Sequence, residues 1–193
     1  MNIKIIDQAI LKAKHERDLA LGRRDARLNE IETKRQHLQE LEITNKALTE
    51  LQAISERIQL NVYQSIQNLA TYCLQTVFGE EYACQIDTAV RRGKVELDIY
   101  VMKGRLRLDP LAACGGGVAD VLALALRIGV ILSDNINKPR QILIADEPCR
   151  FVSEVYRSAV AELLESLAET YGFQLIMVTH DEAFKIGKVV EID

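Results

Sequence analysis

The stretch QILIADEP, residues 141–148, decides the fold. Ile142, Leu143, Ile144 and Ala145 run without alternation into two acids, Asp146 and Glu147, and Pro148 closes the segment. An apolar run of this length bounded by turn residues predicts a strand buried on both faces. A polar segment, SDNINKPR (133–140), leads into it, and a helical pattern over 153–171 leads out. A second apolar strand follows in FQLIMVTHDE (173–182) and ends at Thr179 and His180. Strand, helix and strand in succession predict parallel strands covered by helices, an α/β fold. Ligands of such sheets lie beyond the carboxyl ends of the strands, where Asp146, Glu147 and His180 fall.

Upstream, ACGGGVADVLALALRIGVIL (113–132) places Gly115, Gly116 and Gly117 directly before an almost wholly apolar helix, expected over 118–132. Two readings stay open here. Backbone N–H groups at a helix N-terminus form a seat for phosphate; alternatively, the glycines supply a tight turn that lets the helix bury itself. Before them, short strands are expected at 82–86, 94–102 and 105–108. VELDIYVM alternates, RRG and KG supply turns, and an antiparallel meander results. An amphipathic helix at 62–79 stops at Gly79.

Residues 1–60 hold no proline and a single glycine, Gly22, and interleave both signs of charge. Leu28, Ile31, Leu38, Leu41, Leu48, Leu51, Ile54 and Ile58 step by three, seven, three, seven, three, three and four. That spacing draws a narrow apolar stripe along one helix face, a coiled-coil seam without an unbroken heptad. Such a helix needs a partner helix to be stable. The expected division is therefore a coiled-coil helix over 1–60 and a globular lobe over 61–193.

The formal net charge of −4 makes no case for nucleic acid from the chain as a whole. Arg91, Arg92, Lys94, Lys103, Arg105 and Arg107 form a local basic stretch that reads more readily as a solvated hairpin face. Cys73, Cys84, Cys114 and Cys149 show neither C-x-x-C pairing nor a histidine at metal-ligand spacing, so reduced thiols in a cytoplasmic protein are expected. The apolar run from 118 to 132 is broken by Asp120 and Arg127, so no membrane partner is expected.

An apolar strand that delivers Asp and then Glu suits nucleotide chemistry. The first carboxylate holds Mg²⁺ and the second polarises an attacking water. A histidine on a neighbouring strand end reaches a γ-phosphate as hydrogen-bond donor.

With these features assembled, the chain resembles the C-terminal lobe of an ABC-type P-loop ATPase head of the SMC and double-strand-break-repair class, with its coiled coil attached. Residues 113–117 (ACGGG) match the signature usually written LSGGE, residues 142–147 match Walker B, and residues 179–181 match the histidine switch. The wording GGGVADVLALALRI and DEPCRFVS looks most similar to small SMC-like ATPases of bacteriophages. The resemblance implies that Asp146 serves Mg²⁺, that Glu147 is the general base, and that His180 senses the γ-phosphate. It also implies that Cys114, Gly115, Gly116, Gly117 and Ser153 line ATP held by another head. Three positions depart from the pattern: Cys114 replaces a serine, Gly117 an acid or amide, and Ser153 an aspartate. No G-x-x-x-x-G-K-[ST] occurs in the 193 residues, so the phosphate cradle and its lysine are missing from them.

The resemblance thus implies ATP and Mg²⁺ only in a site shared with a Walker A-bearing partner lobe, in DNA recombination, repair or end-processing. A nuclease and DNA are further expected partners, and the coil pairs either with the partner lobe or with a second copy. The isolated chain is expected to be inactive. A different class of function is a catalytically inactive scaffold that dimerises by its coil or interferes with an SMC-like ATPase. A third, weaker reading is that the sequence is a piece of a longer ATPase.

Overall fold

In the computed structural model, residues 3–92, 94–133 and 141–191 are described. Residues Met1–Arg57 and Ile58–Asp193 form two separate compact units. Helix α1, Ile3–Phe78, enters both without interruption. No break separates the expected coil from the expected helix at 62–79, because nothing in the sequence stops the helix before Gly79. Gly79 does so, with φ at 104° and its N–H returned to the carbonyl of Gln75.

In the second unit, β1 (Tyr82–Arg91), β2 (Lys94–Lys103) and β3 (Leu106–Leu108) form an antiparallel meander in that order. Arg91 pairs with Lys94, so the first hairpin loop is two residues long, and Arg92 takes the left-handed backbone this tight turn requires. β1 is an edge strand, and helix side chains cover part of its edge. The Cys84 N–H donates to Thr71 Oγ1 at 3.0 Å and the Ile86 N–H to Gln67 Oε1 at 2.8 Å.

α2 (Gly116–Ser133), β4 (Ile142–Asp146), α3 (Glu154–Tyr171) and β5 (Gln174–Val178) follow. β4 and β5 pair in parallel, with Ile144 opposite Ile176 and Asp146 opposite Val178. The α/β class and the parallel pairing expected from the sequence are both present. Of the loop expected at 133–140, residues 134–140 lie outside the described residues.

The core forms where α1, α2 and α3 meet: Leu69, Cys73 and Leu74 of α1 join Val121, Leu124 and Ile128 of α2 and Val160, Leu164 and Leu167 of α3. α2 is long and apolar enough to cross a membrane by composition, yet its apolar side chains make up the centre of this core. α1 and α2 approach closely at Gly129, where an added Cβ would lie 3.2 Å from Ile66.

One expectation fails in the sheet. β4 was expected to be buried on both faces, but only Leu143 and Ala145 are buried, while Ile144 is 71% exposed. Helices cover a single face, and Ile144, Ile176 and Val178 stand on the other. An unbroken apolar run reports that both faces are suited to burial; it does not report that this chain supplies both covers.

Candidate functional site at the carboxyl edge of the parallel strands

Asp146 is the last residue of β4, exposed on the uncovered face. The next residue, Glu147, turns the chain. Its N–H donates to the Val178 carbonyl at 2.8 Å, adding one rung beyond β5, and its φ of 43° is left-handed. A non-glycine residue held there costs about 1–3 kcal/mol and is seen chiefly where a site demands it. Cys149, two residues on, is also left-handed at 63°.

This geometry aims Glu147 at the end of β5. Its Oε1 accepts the backbone N–H of His180 at 3.1 Å and meets His180 Nδ1 at 2.7 Å. An ionised carboxylate only accepts, so Nδ1 carries the proton in this contact and Nε2 is left to face outward. His180 thus addresses Glu147 here. The histidine side chain is largely exposed, so the pair's worth lies in orientation rather than in stability.

The glycine turn divides its labour. α2 begins at Gly116, which puts Gly115 at the helix mouth, and the N–H groups of Val118 and Ala119 return to the Gly115 carbonyl. A Cβ on Gly115 would meet nothing within 4 Å. On Gly116 it would meet Phe151 Cβ at 2.9 Å, and on Gly117 the Phe151 carbonyl oxygen and Val152 Cα at 3.0 Å. Gly116 and Gly117 therefore exist for close packing against the loop after β4. At Gly115 the space an added Cβ would fill is open.

Cys114 packs on the core, and burial together with Asp109 raises its thiol above the ordinary value. Ser153 stands at the N-cap of α3 and makes no capping hydrogen bond. Asp146 has no cluster of other ligands: among the described residues no group of three or more His, Cys, Asp or Glu side chains could hold a metal. A lone exposed carboxylate nonetheless fits Mg²⁺, which is bound through one or two carboxylates together with nucleotide phosphates and water.

Asp120, Arg157 and Asp181, the last of these within the histidine-switch match, complete the frame. Asp120 Oδ2 accepts the Phe151 N–H at 2.8 Å. Arg157 joins Val152 to Asp181, and Asp181 Oδ1 accepts the Ala183 N–H at 3.0 Å. Asp120 had one local signal, an acid inside an apolar run. Arg157 had none.

The parallel strand pair thus carries an acid, a left-handed glutamate and a histidine at its carboxyl edge. No family model matches the chain. It is 27% identical over 150 residues to the DNA double-strand break repair Rad50 ATPase of Thermoplasma volcanium, covering 76% of this chain and 16% of that protein. The corresponding Rad50 ATPase of Halobacterium salinarum is 30% identical over 132 residues, covering 66% of this chain and 14% of that protein. The Smc head domain with coiled coil and joint from Pyrococcus yayanosii superposes with a TM-score of 0.65 at 17% identity, covering 83% of this chain and 30% of that one. The chain is thus similar in sequence to Rad50 ATPases and shares the fold of SMC head domains with their coiled coil. It spans about one-sixth of the length of these Rad50 relatives.

Proposed function

We propose that this chain supplies the signature and Walker B elements of a composite ATPase site, in trans to a Walker A-bearing lobe, in the repair or recombination of broken DNA. The observation that carries this reading is the uncovered face of β4 and β5. Ile144, Ile176 and Val178 are 71%, 43% and 55% exposed there, and Asp146 lies on the same face at its carboxyl edge. A lobe seated on this face buries the three apolar side chains and brings its phosphate loop to Asp146. Burying a side chain of this size contributes about 1.5–3 kcal/mol.

Within the composite site Asp146 binds Mg²⁺, Glu147 accepts the proton of the attacking water, and His180 orients Glu147. Gly115 and Gly116 present backbone N–H groups to the γ-phosphate of ATP held by an opposing head. Cys114, Gly117 and Ser153 serve that surface through backbone alone. The domains are the coil over 1–60 and the lobe over 61–193, and the four free thiols suit a cytoplasmic setting. The DNA process is carried over from the Rad50 relatives, which are DNA double-strand break repair ATPases, and a nuclease partner from the family resemblance.

The test is ATP turnover by the chain alone and mixed with an N-terminal Rad50-type head segment that bears a Walker A loop. Turnover is expected only in the mixture, with a loss of about 10²-fold or more in Glu147→Gln, as for removal of a general base. Turnover by the pure chain that disappears in Glu147→Gln would falsify complementation. The core-packed Cys114 favours a second reading, an inactive scaffold that presents a signature face without hydrolysis. It predicts a complex with the Walker A segment and no turnover.

A further inference from the structure

One guanidinium joins the loop after β4 to the turn after β5. Arg157, in the first turn of α3, donates from Nε to the Val152 carbonyl at 3.2 Å, and its Nη1 meets Asp181 Oδ2 at 2.7 Å. The Arg157 and Asp181 side chains are 33% and 19% exposed, so the pair is less screened than the exposed pairs along α1. A planar fork suits two acceptors in fixed directions, which a lysine ammonium does not match.

Each end of this bridge is itself tied down. On one side, the Asp181 N–H donates to Thr179 Oγ1 at 3.1 Å, which closes the turn that carries His180. On the other, the loop holding Val152 is fastened to α2 by the Phe151 N–H on Asp120 and by the packing of Gly116 and Gly117 against Phe151 and Val152. The glycine turn, the loop over 149–152, Arg157, Asp181 and His180 therefore form an unbroken chain of short contacts. Anything that displaces Gly116 or Gly117 presses directly on backbone that Arg157 holds.

We propose that Arg157 is a positioning residue: it clamps the turn that carries His180 to the loop after β4, so that the glycine turn sets where His180 stands against Glu147. The consequence for hydrolysis rests on the composite-site reading, but the clamp itself needs neither nucleotide nor a second lobe. Occupancy of the glycine turn would then be felt at the general base through one side chain.

The test uses the isolated full chain labelled with ¹⁵N-histidine. It has three histidines, and His15 and His37 lie in the other unit and serve as references. In Arg157→Gln the His180 Nδ1 resonance is expected to move toward its position in Glu147→Ala, while His15 and His37 stay in place. Asp120→Ala is expected to move the same resonance, and that response should fall by at least half in the Arg157→Gln background. A double-mutant cycle of this kind separates a shared path from two independent effects. Should Arg157→Gln not fold, Asp181→Asn carries the same test, since it removes the charge that Arg157 holds.

An unmoved His180 in a folded Arg157→Gln or Asp181→Asn chain overturns the clamp. An equal response to Asp120→Ala with and without Arg157 overturns its link to the glycine turn. Absent turnover with coupled histidine shifts would sink the composite site alone, and turnover with uncoupled shifts would sink the clamp alone.

Discussion

At the scale of the residue, the glycines at the mouth of α2 are not interchangeable. Gly117→Ala sets a Cβ 3.0 Å from backbone atoms of Phe151 and Val152, which have no flexible end to swing away. Overpacking of this kind costs about 1–3 kcal/mol, against a gain of up to about 1 kcal/mol from replacing a helical glycine by alanine. The expected outcome is a melting temperature lowered by several degrees, whereas Gly115→Ala, in open space, stays within about 0.5 kcal/mol of the parent. Thermal denaturation of both variants checks this, and equal stabilities would show that the loop over 149–152 yields. The buried thiols add a dependence on pH. Burial pushes Cys73 and Cys149 up to about 12 and Cys84 up to about 11, from an ordinary 9.0. Above the ordinary value the unfolded thiols lose protons that the folded ones keep, so stability is complete below about pH 9 and falls as pH rises toward 11–12. Urea melts at pH 8 and pH 10.5 should show the loss, and Cys73→Ser/Cys84→Ser/Cys149→Ser should flatten it. The three chemical candidates, Asp146, Glu147 and His180, were legible because each ends an apolar strand. The strain at Glu147 and its grip on His180 were not, since both depend on how β4 and β5 are placed side by side.

At the scale of the element, α1 shows what periodicity reveals and where it stops. The stripe from Leu28 to Ile58 is exposed throughout, as a seam awaiting a partner must be. The change in composition near residue 61 marks no boundary between two helices but only the onset of burial, at Ile66 and Leu69, along one helix. Density of apolar residues reports burial, and only a breaker such as Gly79 reports an end. A stripe of this kind stabilises its helix by pairing, because most helical stability comes from packing an apolar face rather than from propensity. The chain, 21.7 kDa as a monomer, is expected to scatter light as a larger species, and Leu41→Glu/Leu48→Glu should return it to the monomer mass. A monomeric parent chain would show that the seam is not made for a second copy. The meander of β1, β2 and β3 was legible in full outline, because alternation and turn residues are local. The side chains of Thr71 and Gln67 that cover its edge were not, since they come from the preceding helix and depend on how α1 lies against β1.

At the scale of the whole molecule, the uncovered sheet face separates stability of the chain from assembly. Exposed positions away from special features tolerate substitution within about 0.5 kcal/mol. Ile144→Glu/Ile176→Glu should therefore leave the melting temperature of the isolated chain nearly unchanged. In the complex, the same change removes two apolar side chains from burial and places two carboxylates where water is excluded. The lost transfer alone, at about 1.5–3 kcal/mol each, corresponds to about a hundredfold or more in affinity. Titration calorimetry of the parent and the double variant against a Walker A-bearing head segment reads this directly. Lost binding with unchanged stability would assign the face to the missing lobe. Binding at parental affinity would place that segment elsewhere on the chain.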